Sequence, residues 1–418
     1  MRQAPLGGTP GISTIAPEEV EAFLAAVELA YAGRLPPDEL RTVGTLLDSE
    51  RCLVVREGGA IVATAGSYRL RCTLPWGKAA EVAGISFVGV HPVHRRRGLL
   101  RLLLAHQLQA LGAEGFPFAL LTASEGGIYG RFGFGVTTWW ATYRVRRDRV
   151  GEAPRETSSA WRLEHAWPEE VAEGLRAVYR AACTTVPGGA TRPELEWHDY
   201  LADPPRQRDG SSALNALVAV DARAEMAGYA LYRLHDVGQG PSSAHRVDVV
   251  DLQAPEPGAA SLLWRHLARM DLADEVLAPL RSLDEPLRLL FPDPRAVETL
   301  AVRDGAWLRI LDVRGALEAR GYGVDGGAVL EVVDPLLPAN RGCWSLEVRA
   351  GRGHCERVRD AQPAVRLGID ALGAAYLGGT DLGHLARAGL VEEVVPGGVA
   401  RAEQLLRAER TPWLTTTF

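Results

Sequence analysis

The chain has 418 residues, a formal net charge of −6, 47% hydrophobic residues and 23% charged residues. That length suits two or three domains, and the acidic balance excludes a general nucleic-acid-binding surface. Five scattered cysteines (Cys52, Cys72, Cys183, Cys343, Cys355) show no C-x-x-C spacing and no nearby histidine, so neither a disulfide framework nor a metal site is expected. No apolar run approaches the ~20 residues of a membrane span, and residues 1–11 lack the apolar core of a signal peptide, so a cytoplasmic protein without membrane insertion is expected.

Pro17 and Glu18 open a helix to about Tyr31, with Val20, Phe23, Leu24 and Val27 at helical spacing. A second helix is predicted over Pro37–Leu47. Cys52–Arg56 and Ala60–Leu70 read as strands joined by a hairpin at Gly58-Gly59. Residues 84–104 follow as strand, arginine-rich turn and leucine-rich helix. Ile85 and Phe87 alternate, then the phase slips to Val88 and Val90, which predicts a β-bulge. Pro92 ends the strand because it has no N–H to donate. Beyond Gly98, Leu100, Leu103, Leu104, Leu108 and Leu111 recur at helical spacing.

The chemistry lies in the turn. A helix N-terminus offers unpaired N–H groups that favour phosphate. Arg95, Arg96 and Arg97 add cationic charge there, and Gly98 permits close backbone approach. These features describe a pyrophosphate site beside a strand edge. The stretch resembles motif A of the GNAT acetyltransferases, R/Q-x-x-G-x-G/A; Arg95 and Gly98 match it, while Leu100 stands where Gly or Ala is usual. The nearby His91 and His94 read as turn residues, and Trp139 and Trp140 as packing residues.

Phe118–Thr122 is a short strand, followed by S-E-G-G-I-Y-G-R-F-G-F-G at residues 124–135, and Thr137–Val145 reads as the strand that closes a first domain. A polar linker at Gly151–Ser159 sets a boundary, giving domains at residues 1–150 and 151–299. The second region repeats the plan: a helix at Glu169–Ala182, strands at Ala213–Val220, Met226–Leu234 and Val247–Leu252, and a helix at Ala259–Met270. Its equivalent turn, A-P-E-P-G-A-A-S at residues 254–261, keeps Gly258 but carries Glu256, whose carboxylate repels pyrophosphate. This copy is therefore expected to have lost coenzyme binding. From residue 300 to 418 the pattern changes: strands at Trp307–Asp312, Ala328–Val333, Cys343–Val348 and Ala364–Ile369, with helices at Gly315–Ala319, Ile369–Tyr376, Asp381–Ala388 and Gly398–Arg407.

Over nearly its whole length the chain resembles the enhanced intracellular survival (Eis) family of aminoglycoside acetyltransferases. The resemblance rests on residues 86–100 and 124–135, with V-P-G-G (186–189), G-Y-A-L-Y-R (228–233), W-L-R-I-L-D-V (307–313), A-L-E-A-R-G-Y (316–322) and the terminal phenylalanine. It implies an α/β (α+β) protein with tandem GNAT domains, the second degenerate, followed by a sterol-carrier-like α/β domain. It implies acetyl-coenzyme A as donor, lying along Phe87, Val88, Gly89 and Val90. The pyrophosphate would be cradled by Arg95, Arg96, Arg97, Gly98, Leu99, Leu100 and Arg101, with Ser124 and Glu125 beside the acetyl end. Tyr129 matches the general acid of the family, and the α-carboxylate of Phe418 its base. A small-molecule amine acceptor, no metal and a homohexamer are implied as well.

One departure concerns the acceptor. The family's aminoglycoside acetylators would carry an acid just before the terminal phenylalanine, where this chain has Thr417. Glu28, Asp38 and Glu39 could line a polyamine site, or be solvated helix residues. A less cationic amine, a peptide or lysine amine, or an aminoglycoside held by other acids all remain open as acceptors. A non-catalytic lipid carrier or scaffold is the alternative of another class.

Overall fold

The computed structural model describes residues 11–152, 160–205, 208–236, 245–271 and 273–418. Most of the linker expected at Gly151–Ser159, almost all of the N-terminal segment and the Asp38 side chain lie outside the described residues. In chain order the elements begin with β1 Ile12–Thr14, α1 Val20–Ala30, α2 Pro37–Gly44, β2 Cys52–Glu57, β3 Ala60–Leu74, β4 Lys78–Val90, α3 Leu99–Ala113, β5 Phe118–Thr122 and β6 Gly135–Val136. Next come β7 Trp139–Arg146, β8 Arg162–Ala166, α4 Ala172–Ala182, α5 Glu194–Ala202, β9 Asn215–Val220, β10 Met226–Asp236, β11 His245–Gln253, α6 Pro257–Leu267, β12 Ala273–Arg281 and β13 Val297–Asp304. The last part holds β14 Ala306–Ile310, α7 Val313–Ala319, β15 Gly326–Val333, β16 Gly342–Arg349, β17 Arg352–Val358, β18 Val365–Gly368, α8 Ile369–Tyr376, α9 Leu382–Arg387, β19 Val391–Glu393 and α10 Gly398–Leu406.

Three sheets organise these elements. The first runs β1-β2-β3-β4-β5-β14-β6, the second β13-β7-β12-β11-β10-β9-β8, and the third β17-β16-β15-β18-β19. In the first sheet β1 to β4 pair antiparallel, β4 and β5 pair parallel, and β14 closes antiparallel on β5 and β6. In the second, β8 to β11 pair antiparallel, β11 and β12 parallel, and β7 closes antiparallel on β12 and β13. The two sheets therefore share one plan; the second is built from the continuous stretch β7 to β13, and the first takes its sixth strand, β14, from beyond that stretch.

That arrangement corrects two expectations. The strand expected at Thr137–Val145 does not close the first sheet; as β7 it is built into the second. The strand expected at Trp307–Asp312, assigned by sequence order to the last domain, completes the first sheet as β14. Side-chain alternation identifies a strand but says nothing about its partner. On β7, Ala141, Tyr143 and Val145 are buried on one face. Arg144, on the other face, lies 3.7 Å from both Glu275 of β12 and Glu298 of β13. Opposite charges on both neighbours of one strand fix its register. The helix α5 and the strands β1, β6, β8, β12, β13, β17 and β19 carry local signals too weak to predict them, and α2 ends at Gly44 rather than Leu47.

The third sheet is tied to the first by helix α8. A Cβ at Gly135 of β6 would run into the Asp370 carbonyl oxygen, and one at Gly373 would lie 2.5 Å from the Leu308 carbonyl oxygen. Glycine at both positions lets α8 rest on β6 and β14 almost backbone to backbone. One buried core runs from Leu70, Leu120 and Leu308 through Leu372 and Tyr376 to Leu330 and Leu405. Within it Arg309 and Asp334, both fully buried, form an ion pair in which one guanidinium nitrogen donates to both carboxylate oxygens at 2.8 Å.

Candidate active site

The site begins where β4 leaves β5. Their parallel pairing is confined to Ala83–Ala119 and Gly84–Leu120, whereas β4 stays paired with β3 as far as Val90. Beyond Gly84 the two strands diverge into a wedge. The expected bulge lies on this free stretch: the register with β3 shifts between Thr64 and Gly66, opposite Gly89 and Ser86. Phe87 takes φ +55°, a left-handed conformation costly for a non-glycine residue. Its carbonyl accepts the Thr64 hydroxyl at 2.8 Å, and the Val88 carbonyl accepts the Tyr31 hydroxyl at 3.0 Å. Both contacts hold the bulge from outside the sheet ladder.

The arginine turn divides its three cations by geometry. Arg95 donates to the Ala30 carbonyl at 2.7 Å and the Val90 carbonyl at 3.3 Å, so it fastens the end of α1 to the end of β4. Arg97 forms a fork with Glu57, both contacts 2.8 Å, and His94 lies 2.9 Å from the same carboxylate. Arg96 is exposed, with φ +62°, and makes no ion pair within the described residues. Gly98 has φ +82°, and a Cβ placed on it would meet nothing within 4 Å. Immediately after it α3 begins, so the first-turn N–H groups at Leu99, Leu100 and Arg101 are free of intrahelical acceptors. Free amides, a free guanidinium and open space fit a pyrophosphate.

At the mouth of the wedge three further groups meet. Burial, with the charge of Glu125 adding to it and Ser124 opposing, holds the proton of the Tyr31 hydroxyl more tightly than usual. Tyr129 is buried, its ring edge-on to Phe134 at 5.9 Å. Burial pushes its hydroxyl well above the ordinary phenol range, with Tyr31 and Glu125 adding to the effect, so Tyr129 is protonated at neutral pH. The chain terminus arrives from elsewhere: the Thr122 hydroxyl, at the end of β5, donates to a Phe418 carboxyl-terminal oxygen at 3.2 Å. The Phe418 ring lies close to Gly84, 3.1 Å from where a Cβ would stand. Residues almost 300 positions apart in sequence are thereby placed beside Ser124, two residues beyond Thr122.

An acidic group stands next to the terminus. Thr417 donates to Glu196 of α5 at 3.3 Å. Burial, followed by the charge of Asp199, pushes the Glu196 carboxyl up to about 7, with Arg192 and the Thr417 hydroxyl opposing. Both acids also bear on the Tyr68 hydroxyl, whose ring packs 5.6 Å from that of Phe87. Neither acid nor Tyr31 was found in the sequence. Their helices supply no motif, and only the fold brings α5 of the second half to the first sheet. His91 accepts the Val93 N–H and His94 pairs with Glu57, which leaves both in the turn.

The second copy differs at each of these points. Its bulge persists, on β11 opposite Leu231 and Tyr232. Its turn is closed: a Cβ at Gly258 would collide with the Trp161 ring, where Gly98 faces open space. Across its wedge Arg281 donates to the Leu252 carbonyl at 2.9 Å and pairs with Glu285 at 2.9 Å. Trp161, Glu256 and Arg281 fill or repel what the first copy leaves available.

A parallel splay, a bulged strand and an open glycine turn before a helix define the class: this is a GNAT N-acetyltransferase, duplicated and fused to a third domain. Sequence profiles agree, with the Acetyltransferase (GNAT) domain matching residues 11–137 and again 188–310, and the Sterol carrier protein domain matching residues 313–415. The chain is 34% identical over 376 residues to the N-acetyltransferase Eis of Mycobacterium tuberculosis, spanning 88% of this chain and 89% of the relative. It is 38% identical to an N-acetyltransferase of Streptomyces avermitilis over 93% of this chain and 95% of that one. The crystal structure of Eis1 from Mycobacterium abscessus superposes with a TM-score of 0.85 at 33% identity, covering 98% of this chain and 100% of that one. The chain belongs to the Eis family of N-acetyltransferases, and its GNAT fold implies acetyl-coenzyme A as donor. Among the described residues no helix is long and apolar enough to cross a membrane, and no group of His, Cys, Asp or Glu could hold a metal ion.

Proposed function

We propose that the protein transfers the acetyl group of acetyl-coenzyme A to an amine of a cationic small molecule, with aminoglycosides among the candidate acceptors. Tyr129 acts as general acid and the Phe418 α-carboxylate as general base. The observation that carries this reading is the arrival of the chain terminus at Thr122, at the mouth of the wedge. The pantetheine arm would follow Phe87 to Val90, with the pyrophosphate over Arg96 and the amides of Gly98 to Arg101. Arg95 and Arg97 would shape that turn from its two sides, and Ser124 and Glu125 would border the acetyl end.

The acceptor arrives as an ammonium, and the terminal carboxylate attracts it and takes one proton. The free amine then attacks the thioester carbonyl and the C–N bond forms; as the C–S bond breaks Tyr129 gives its proton to the departing thiolate, the nitrogen passes its remaining extra proton through water to the tyrosinate, and the terminal carboxyl returns the first proton to solvent. A buried tyrosine is a weak acid, but the same burial penalises the thiolate, so the transfer remains balanced. Glu196 and Asp199 supply the acceptor-side negative charge that Thr417 does not. In this reading the chain also forms the homo-oligomer of its family, a hexamer; Leu300 and Val302, 43% and 52% exposed on the edge strand β13, would contribute apolar surface.

The test is thiol release from acetyl-coenzyme A against a panel of polyamines, aminoglycosides and lysine peptides. Turnover should require a cationic amine and fall at least about a hundredfold in Tyr129→Phe, in the range of a lost general acid. Thiol release with no amine on the panel would overturn the reading.

A further inference from the structure

The V-P-G-G stretch at 186–189 has no part in the chemistry just described, yet it sits at a junction. The Gly188 N–H donates to the Thr73 carbonyl and the Thr73 N–H to the Gly189 carbonyl, each at 2.8 Å, so the loop is stitched onto β3 of the first sheet. Its other side receives the tail. The Trp413 N–H donates to the Pro187 carbonyl at 2.8 Å. Gly188, at φ +85°, is needed there, since a Cβ would lie 3.3 Å from the Trp413 backbone.

The loop ends in Arg192, whose side chain is only 1% exposed. It pairs with Asp251 at 2.9 Å, and Asp251 is held in turn by Tyr229 at 2.8 Å and Gln253 at 2.9 Å. The guanidinium lies 4.1, 4.4 and 4.6 Å from the ring centres of Tyr179, Tyr200 and Trp197. From that fixed position it donates to the Thr416 hydroxyl at 3.2 Å and the Thr415 carbonyl at 3.3 Å. Tyr179 adds a contact to the Thr415 hydroxyl at 2.8 Å, and Trp140 donates to the Leu414 carbonyl at 2.9 Å. Every residue from Trp413 to Thr416 is thus held by a hydrogen bond, and Asp251 belongs to β11, in the stretch that has already left β12.

We propose that the second GNAT-like domain is the receptor for the chain's own C-terminus, and that Arg192 is the positioning residue that fixes the tail's register. The wedge of this second copy holds an ion pair that grips residues 415 and 416, and this delivers the carboxylate two residues later. The proposal rests on the reading of Phe418 as base. A register error of one residue moves the terminal carboxylate by ~3.5 Å, enough to remove it from hydrogen-bonding reach of its partner.

The experiment follows the tail directly, by the rate at which carboxypeptidase releases phenylalanine from the full chain, alongside steady-state kinetics. Arg192→Lys keeps a cation for Asp251 but loses the planar fork and its stacking. It should raise the release rate and lower kcat about tenfold, the scale of one or two lost buried hydrogen bonds, with the KM for acetyl-coenzyme A unchanged. Thr415→Val, isosteric and free of the buried cation, should shift the same two readouts in the same direction and guards against a folding defect. Adding Arg192→Lys to a chain lacking Phe418 should cost no further turnover. Unchanged phenylalanine release in both variants overturns the clamp whatever the kinetics. Full turnover after deletion of Phe418, with faster release in Arg192→Lys, overturns the base instead and leaves the clamp standing.

Discussion

Arg96 stands on the turn before α3 with a left-handed backbone, φ +62°, while its two neighbours are engaged by Ala30 and Glu57. Three identical side chains in a row therefore differ in what their loss should do. Arg96→Glu should remove the thermal shift given by acetyl-coenzyme A and raise its KM at least about tenfold, with little change in the stability of the free protein. Arg95→Ala should instead lower stability by about 1–2 kcal/mol, because it leaves the Ala30 carbonyl without its partner. Glu196 gives a pH signature. With its carboxyl pushed up to about 7, the folded chain keeps a proton that the unfolded chain has already lost, so stability declines as pH rises from the ordinary carboxylate range through about 7. The same rise in pH creates the charge a cationic acceptor wants, so the acceptor KM should fall severalfold across that window. Glu196→Gln should abolish both trends, and a pH profile unchanged by that substitution would remove Glu196 from the acceptor site.

At the scale of elements, β4, its turn and α3 could be read in advance because each carries a local signal. The slip from Phe87 to Val88 marked the bulge, Pro92 the end of the strand, and the leucine spacing the helix. The helix α5 could not: it presents no clear apolar stripe, and its value lies in Glu196 and Asp199 reaching a site on another sheet. The union of α8 with β6 and β14 was equally silent, since a glycine gives no sign of what it touches. Gly135→Val should push α8 off the sheet, costing at least about 1–3 kcal/mol as overpacking does, and lower the thermal midpoint measurably. A midpoint unchanged in that variant would contradict the close contact between helix and sheet.

For the whole molecule, the second GNAT sheet is one continuous stretch, Trp139–Asp304, set between β6 and β14, so the first GNAT sheet is not complete within any continuous part of the chain. A fragment ending at residue 150 lacks β14, so the free edges of β5 and β6 would face solvent beside a core that expects a strand. Such a fragment should be insoluble or fail to bind acetyl-coenzyme A, as solubility and a thermal-shift titration would report; a soluble, coenzyme-binding fragment would show β14 to be dispensable. The family and the duplicated plan were legible in the amino-acid sequence, as were the cationic turn at Arg95–Gly98 and its acidic counterpart at Glu256, because these depend on residues close together in the chain. Folding alone sets which strand completes which sheet, which of the three arginines makes no ion pair among the described residues, which acid stands beside Thr417, and how the terminus is held at Thr122. Those depend on contacts between residues up to about 300 positions apart, and local periodicity and charge carry no record of partners brought together by folding.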